Sequence, residues 1–242
     1  MLIKAPVIYE YETLLSKYKC IKRWDEAPEL PGSVRFIKTC NMHGVLTALT
    51  CTRATYKDVV EAHKAGMTHA AHFYNAMPVV YKEHEFKVPG TVESVYAMQD
   101  MTVEVIADGL HVPPVMLKVV HKIKGVERMA LITDSLAYAA SEGDVSAEPR
   151  VIMEDGVCKL ADRSALAGSI ATMDRVIKVA VTQAGIPLED AARMASETPA
   201  KIMGVYDRKG SIERGKDADI IFFDKDINLT GVIQMGREIE TA

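Results

Sequence analysis

Three apolar stretches of the sequence end in side chains that bind metals or move protons. His72 and His111 stand near the ends of two of these stretches, and Asp134 follows the third. In an α/β barrel the catalytic groups lie where the parallel strands end, so the three residues are expected at one mouth. Two imidazoles and a carboxylate in one place indicate metal-assisted hydrolysis.

Each of these residues also has an ordinary structural interpretation. A histidine at a strand end is often a satisfied structural residue. Asp134 is also suited to capping a helix N-terminus. His111 precedes Val112-Pro113-Pro114, where it is equally explained as a loop residue. The residues alone leave both interpretations open.

Helical and extended segments alternate over the first 133 residues. Hydrophobic spacing predicts helices over Tyr9–Tyr18, Pro31–Met42, Thr55–Ala65, Val92–Met98 and Pro114–Lys124. Apolar runs predict five strands, which end near Trp24, Leu49, Phe73, Ala107 and Thr133. This alternation is typical of an α/β fold with a parallel sheet.

The pattern changes in the last third of the chain. Val151–Leu160 is predicted to be a β-hairpin that turns at Asp155-Gly156, followed by helices over Met173–Ala184 and Leu188–Ala195. Short strands over Ala218–Phe223 and Gly231–Met235 indicate a small second sheet. We therefore predict a barrel domain over residues 1–209 and a separate set of strands over 210–242.

Composition limits the classes of function. Of the 242 residues, 48% are hydrophobic and 26% are charged, which suits one large core with a small appendage. A net charge of -4 and a pI near 6.0 give no reason to expect nucleic acid or an anionic membrane as a partner. The cysteines form no C-x-x-C pair, no secretory segment opens the chain, and no apolar run reaches about 18 residues. A reduced, cytoplasmic protein is expected.

Several motifs, in this order, resemble the N-acetylglucosamine-6-phosphate deacetylases of the amidohydrolase superfamily. The resemblance covers almost the whole chain, and its ordered set is more specific than any one motif. The matching segments are Ala27–Pro31, Ala54-Thr-Tyr56, His69–Met77, Ile106–His111, Leu131–Asp134, Leu166–Ser169 followed by Thr172-Met173, Thr198–Ala200 and Gly210–Asp219.

The resemblance implies a (β/α)8 barrel, a small β-sandwich, a homodimer, and removal of acetate from an amino-sugar phosphate at a divalent metal such as zinc or iron. His72 matches a metal ligand. Asp134 matches the carboxylate that activates water and then protonates the leaving amine. The positions that match substrate contacts are Asn75, Ala76 and His111.

This sequence departs from the family pattern at three places. Cys51 stands where the family has a second histidine ligand. Two interpretations of Cys51 stay open: a thiolate that binds zinc, or a buried neutral thiol that does not. Lys87 replaces the arginine of an Arg-Glu-Pro-Gly segment, which keeps a charge for phosphate but loses the bidentate fork. A third ligand, the glutamate of a His-Leu-Glu-Gly-Pro segment, is expected upstream of Met1.

The expected structure is therefore a partial barrel of about five βα units, truncated at the N-terminus, with a C-terminal remnant of the sandwich sheet. Three functions remain open. The chain is a deacetylase of N-acetylglucosamine 6-phosphate, an inactive relative that still binds a phosphosugar, or an inert fragment.

Overall fold

The structure, a computed structural model, describes residues 5–137, 139 and 150–239. Contacts between residues divide the chain into two units, Met1–Glu104 and Val105–Ala242. The division falls inside one strand, Thr102–Ile106.

The first unit alternates helices with short strands. In chain order it contains α1 (Ile8–Lys17), β1 (Arg23–Glu26), α2 (Ser33–Met42), β2 (Leu46–Leu49), α3 (Tyr56–Ala65), β3 (His69–Ala70), β4 (Tyr81–Glu83), β5 (Phe86–Val88), α4 (Thr91–Ala97) and the start of β6 (Thr102–Ile106).

The second unit contains the end of β6, four helices and two antiparallel sheets within its described residues. It continues with α5 (Pro114–Lys124), β7 (Met129–Ile132), β8 (Val151–Glu154), β9 (Val157–Leu160), α6 (Met173–Thr182), α7 (Leu188–Ala195), α8 (Glu197–Ile202), β10 (Ile220–Phe223), β11 (Leu229–Gln234) and β12 (Arg237–Ile239).

Five strands form one sheet in the order β1-β2-β3-β6-β7. The pairings of β1 with β2, β2 with β3 and β3 with β6 are parallel, with Ala48 opposite His69 and His69 opposite Thr102. The predicted α/β class, the parallel sheet and its five strands are therefore confirmed. The short strands β10, β11 and β12 form the extra antiparallel sheet near the C-terminus.

Alternation of side chains along the strands separates the two faces of the sheet in the first unit. Trp24 points to the helical side, where its ring contacts Tyr11 and Phe36 edge-on at centroid distances of 5.0 and 5.6 Å. Leu15 and Cys40 complete this buried cluster. The register places Arg23 and the residues aligned with it on the opposite face of the sheet.

Helix α3 has both of its ends specified by sequence. Thr55 accepts a hydrogen bond from the Asp58 backbone, and the Asp58 carboxylate accepts one from the Thr55 backbone, which is a capping box. Gly66 ends the helix with a φ of 108°. This left-handed conformation favours glycine, and a Cβ at Gly66 would also displace the side-chain nitrogen of Asn41, which would lie 2.1 Å away.

Some predicted elements differ from the structure. The third strand is expected to end near Phe73 but spans only His69–Ala70, because the chain turns immediately afterwards. The hairpin formed by β4 and β5, the helix α8 and the strand β12 were not predicted. The predicted domain boundary at residue 210 stays a prediction. No helix in the described ranges is long and apolar enough to cross a membrane.

Candidate active site

The chain leaves β2 through a loop that carries Cys51, an exposed residue with a φ of 41°. Next to it, the buried Thr52 donates its hydroxyl to the Glu29 carboxylate and accepts the Ala54 backbone N–H at 2.9 Å. The Arg53 backbone N–H donates to the other oxygen of Glu29 at 2.8 Å. Glu29 therefore holds the loop in place from the segment that follows β1.

The chain leaves β3 through an unusually tight turn. His72, Tyr74 and Ala76 have φ values of 29°, 80° and 52°, although none of them is glycine. Left-handed residues of this kind cost free energy and cluster at functional sites. The Asn75 backbone N–H donates to the His72 carbonyl at 2.9 Å, and the Thr52 N–H donates to the Ala76 carbonyl at 3.1 Å. The second bond joins this turn to the loop after β2.

Within this joined pair of loops, the side chains of Cys51 and His72 are in contact. The Cys51 Sγ lies 3.5 Å from His72 Nε2, and the Thr50 hydroxyl lies 2.8 Å from the same nitrogen. His72 Nδ1 lies 3.1 Å from the Asn75 carbonyl oxygen, which only accepts. Nδ1 therefore carries the hydrogen, and in the neutral ring the lone pair lies on Nε2 beside the thiol.

This geometry permits a test of whether the residues fit a metal. A thiolate and an imidazole that share one tetrahedral Zn²⁺ at ordinary bond lengths lie about 3.5 Å apart. Cys51 and His72 match that separation. Among the residues that the structure describes, however, no group of three or more His, Cys, Asp or Glu is arranged to hold a metal. The pair fits two positions of a metal site and does not complete one.

Asn75 contributes an unpaired donor to the same turn. Its Nδ2 is buried and has no hydrogen-bond partner within the described ranges. Ala76 is exposed next to it. A buried donor without a partner is costly, so a site that leaves one open is suited to a ligand oxygen.

Lys87 lies on the exposed hairpin of β4 and β5, directly opposite Lys82. Like charges at opposed positions of a hairpin repel each other, and an anion near them relieves the repulsion. Glu83 and Glu85 belong to the same hairpin and partly offset this charge.

In the second unit, His111 forms a pair with Asp108, a residue that the sequence analysis missed. His111 Nδ1 lies 2.7 Å from Asp108 Oδ2, and the two side chains are only 4% and 2% exposed. His111 Nε2 is buried without a hydrogen-bond partner in the described part of the chain. The signal that could have identified Asp108 is its position three residues before His111 in the sequence.

Asp134 lies two residues beyond β7 and is exposed, with a φ of 47°. Its backbone carbonyl accepts the Ser169 N–H at 3.1 Å, and Ser135 donates its hydroxyl to the Ala171 carbonyl. Cys51 and His72 belong to the first unit and Asp134 to the second, so their convergence at one mouth stays a prediction.

Sequence reasoning also missed a charged network in the first unit. Arg23 donates to both oxygens of Glu104 at 2.7 Å, and His69 Nε2 lies 3.2 Å from the same carboxylate. Burial raises the pKa of Glu104, but hydrogen bonds from His69 and Arg23 outweigh it and bring that pKa to about 2. The Glu104 backbone carbonyl accepts the Phe73 N–H at 2.8 Å. The network therefore anchors β6 beside the turn that carries His72.

Comparisons with solved structures support the fold. An N-acetyl-D-glucosamine-6-phosphate deacetylase from Mycobacterium smegmatis superposes with a TM-score of 0.89 at 31% identity, covering 99% of this chain and 64% of that one. The corresponding enzyme from Pasteurella multocida gives a TM-score of 0.88 at 30% identity. The predicted fold class, part of an amidohydrolase-type barrel with a small C-terminal sheet, is confirmed.

Curated relatives point the same way. The N-acetylglucosamine-6-phosphate deacetylase of Vibrio furnissii is 34% identical over 213 residues, which are 87% of this chain and 52% of the relative. That of Haemophilus influenzae is 30% identical over 216 residues, 88% of this chain and 54% of the relative. The chain thus spans about half the length of these relatives. Residues 26–239 match the Amidohydrolase family, and the chain belongs to that family.

Proposed function

We propose that this chain acts on N-acetylglucosamine 6-phosphate, with removal of the acetyl group as its reaction. The observation that carries the proposal is the strained turn after β3, where His72 stands beside the buried, unpaired Nδ2 of Asn75. Relatives at about 30% identity that bear this enzyme's name support the choice of substrate.

The proposed binding residues supply complementary groups to a sugar phosphate. Asn75 donates its free amide hydrogens to a ligand oxygen, and the backbone at Ala76 approaches closely because no large side chain intervenes. Lys87 contributes a positive charge for the phosphate, without the two-pronged contact that arginine makes. His111 supplies a further polar contact.

In the proposed reaction, water adds to the amide carbonyl and the C–N bond breaks. Asp134 accepts a proton from the water and returns it to the nitrogen of the leaving amine. The proposal includes the family's divalent metal, zinc or iron, with Cys51 and His72 as two of its ligands. Because the described residues do not complete its site, we derive no catalytic step from it. A homodimer and a cytoplasmic location complete the proposal.

A second candidate function is binding of the phosphosugar without turnover. It is favoured by the donor set, since Cys51 and His72 form a pair rather than a group of three within the described ranges. Metal-assisted hydrolysis needs a metal ion with a complete set of protein ligands, whereas recognition of a phosphosugar needs only the donors near Asn75 and Lys87.

One experiment separates these candidates. The purified chain is incubated with N-acetylglucosamine 6-phosphate, with and without added zinc, and free amine is measured; thermal stabilisation by glucosamine 6-phosphate is measured in parallel. Turnover supports the deacetylase, and stabilisation without turnover supports the binding protein. If neither turnover nor stabilisation is observed, both candidate functions are contradicted.

Paired variants test the assigned contacts. Asn75→Ala is expected to remove most of the stabilisation by the sugar phosphate, and Lys87→Met to weaken it. Lys225→Met, at a lysine whose side chain is 89% exposed, is the control and is expected to leave stabilisation unchanged. If Asn75→Ala and Lys87→Met are stabilised by the sugar phosphate as much as the unmodified chain, neither residue belongs to the binding site.

A further inference from the structure

Both oxygens of the Asp108 carboxylate are engaged by the turn that this residue begins. Its Oδ1 accepts the backbone N–H groups of Leu110 and His111, each at 2.9 Å. Its Oδ2 is left to face the His111 ring at 2.7 Å. Gly109, with a φ of 79°, allows the chain to close this turn, and a Cβ there would lie 3.2 Å from Val179.

Asp108 is held in the charged state despite its burial. Burial opposes ionisation, but hydrogen bonds from the His111 side chain and from the Leu110 and His111 backbones outweigh it, so the pKa of Asp108 is lowered. An ionised carboxylate only accepts hydrogen bonds. The hydrogen between the two side chains therefore belongs to His111 Nδ1.

The other ring nitrogen has no such partner. His111 Nε2 is buried, and no residue in the described ranges bonds to it. Burying a polar atom without a hydrogen bond is unfavourable, and a ligand that supplies the bond removes this penalty. With the hydrogen fixed on Nδ1, neutral His111 offers a lone pair at Nε2, which suits a hydroxyl or N–H donor.

We propose that Asp108 is a positioning residue that fixes the tautomer of His111 and so presents Nε2 as an acceptor to the ligand. The identity of the ligand, a hydroxyl or amine N–H of the amino-sugar phosphate, rests on the proposed function. The tautomer itself does not, because it follows from contacts within the turn.

Nitrogen-15 NMR of the histidine rings tests the tautomer directly. Spectra are recorded near pH 8.5, about two units above the pKa of an ordinary imidazole, and His111→Ala identifies the resonances of His111 among the seven histidines. We expect the hydrogen on Nδ1 of His111. In Asp108→Asn the amide oxygen still accepts the two backbone N–H groups, and its NH2 faces Nδ1. The hydrogen is then expected to move to Nε2.

A matched control lies in the same unit. His121 Nε2 is 3.0 Å from Asp190, in a pair that is more exposed than that of Asp108 and His111. The hydrogen of His121 is therefore expected on Nε2, whereas that of His111 is expected on Nδ1. Asp190→Asn makes the same chemical change and is expected to alter only His121. A hydrogen on Nε2 of His111 in the unmodified chain, or an unchanged tautomer in Asp108→Asn, overturns the proposal. If Asp108→Asn does not fold, the spectrum of the unmodified chain decides it.

Binding gives the second measurement. Loss of one well-formed hydrogen bond corresponds to about tenfold in affinity, so Asp108→Asn is expected to bind glucosamine 6-phosphate about tenfold more weakly. Equal binding by the variant overturns the presenting role of Asp108. Absence of binding by the unmodified chain contradicts the proposed function instead, and the NMR result still decides the tautomer.

Discussion

At the scale of single residues, Cys51 and His72 are the two proposed metal donors of this chain. Their 3.5 Å separation suits one shared ion, but a thiol must lose a proton before it binds, whereas a neutral imidazole need not. We expect Cys51→His to increase the zinc or iron content of the purified chain, measured by mass spectrometry of the metals.

The exposed Cys20 provides the control for this measurement. Cys20→His adds the same side chain at a surface position and is expected to leave metal content unchanged. Equal and negligible metal in the unmodified chain and in Cys51→His would show that two ligands are insufficient whatever their type.

Glu26, the last residue of β1, is a second residue with a measurable signature. Its side chain is buried and Oε1 has no hydrogen-bond partner in the described part of the chain. Burial raises the pKa of Glu26 from 4.5 to about 8, the nearby Glu29 adds to this, and a hydrogen bond from Ser33 partly opposes it. Folded Glu26 is therefore protonated over a range where the unfolded residue is charged.

The sign of the pH effect follows from this difference. A raised pKa gives a contribution to stability that is complete below about pH 4.5 and lost as the pH rises through about 8. We expect Glu26→Gln to flatten that fall, by up to about 1.4 kcal/mol per pH unit. Urea denaturation at pH 5 and at pH 8.5, roughly the ends of this window, measures it. Glu85→Gln, at an exposed turn, should retain the slope of the unmodified chain.

At the scale of elements, the network of Arg23, His69 and Glu104 connects β1, β3 and β6 across the strand between them. The side chains of Arg23 and Glu104 are 23% and 13% exposed, so their pairing is partly buried. We expect Glu104→Gln to lower the free energy of unfolding by roughly 1–3 kcal/mol, between the values for surface and buried ion pairs.

Acid provides the distinguishing measurement for this network. The pKa of Glu104 is lowered to about 2, so its contribution to stability is present above about pH 4.5 and lost as the pH falls towards 2. Glu104→Gln should make acid unfolding less steep in that window. A variant of the more exposed pair, Glu127→Gln, serves as the control. Equal steepness in the unmodified chain and Glu104→Gln would contradict the assignment.

Elements with local signals could be predicted from the sequence. Helix α5 spans Pro114–Lys124 as expected, because proline at its start and glycine after its end mark both limits. The hairpin of β8 and β9 was equally accessible, since Asp155-Gly156 is a strong turn signal.

Elements without local signals could not be predicted from the sequence. Strand β3 ends at Ala70 because His72, Tyr74 and Ala76 adopt left-handed conformations, which these residue types do not predict. The hairpin of β4 and β5 turns at His84-Glu85, which lacks the usual glycine or asparagine.

The candidate site divides in the same way. Motif order predicted Cys51, His72, Asn75 and His111 as candidate site residues, but it did not predict the atoms that orient them. Arg23 and Glu104 are 81 positions apart in sequence, so no local pattern reveals their pairing. Asp108 was nearer, but its role depends on a turn that only the structure shows.

At the scale of the whole molecule, the chain covers about half the length of its curated relatives. The residues assigned to the proposed reaction are two metal donors, Cys51 and His72, and the exposed carboxylate of Asp134. We expect this chain alone to deacetylate N-acetylglucosamine 6-phosphate far more slowly than a full-length relative, even with added zinc, because the described residues do not complete a metal site that would supply an acidic water to Asp134. Side-by-side assays of amine release measure the difference.

Any turnover that remains tests Asp134 itself. Asp134→Asn is expected to lower the rate by about 10²–10⁴-fold, since an amide neither accepts the proton nor returns it. Asp174→Asn, in the first turn of α6, is the control and should leave the rate unchanged. Full activity in Asp134→Asn would refute its role as the base.

The aromatic cluster beside β1 has a practical consequence. Trp24 is the only tryptophan in the chain, and its ring packs against those of Tyr11 and Phe36 in the first unit. Intrinsic tryptophan emission therefore reports on that unit alone, while far-ultraviolet circular dichroism averages over all helices. If the emission shifts at a lower urea concentration than the dichroism, the first unit unfolds while the helices of the second remain folded.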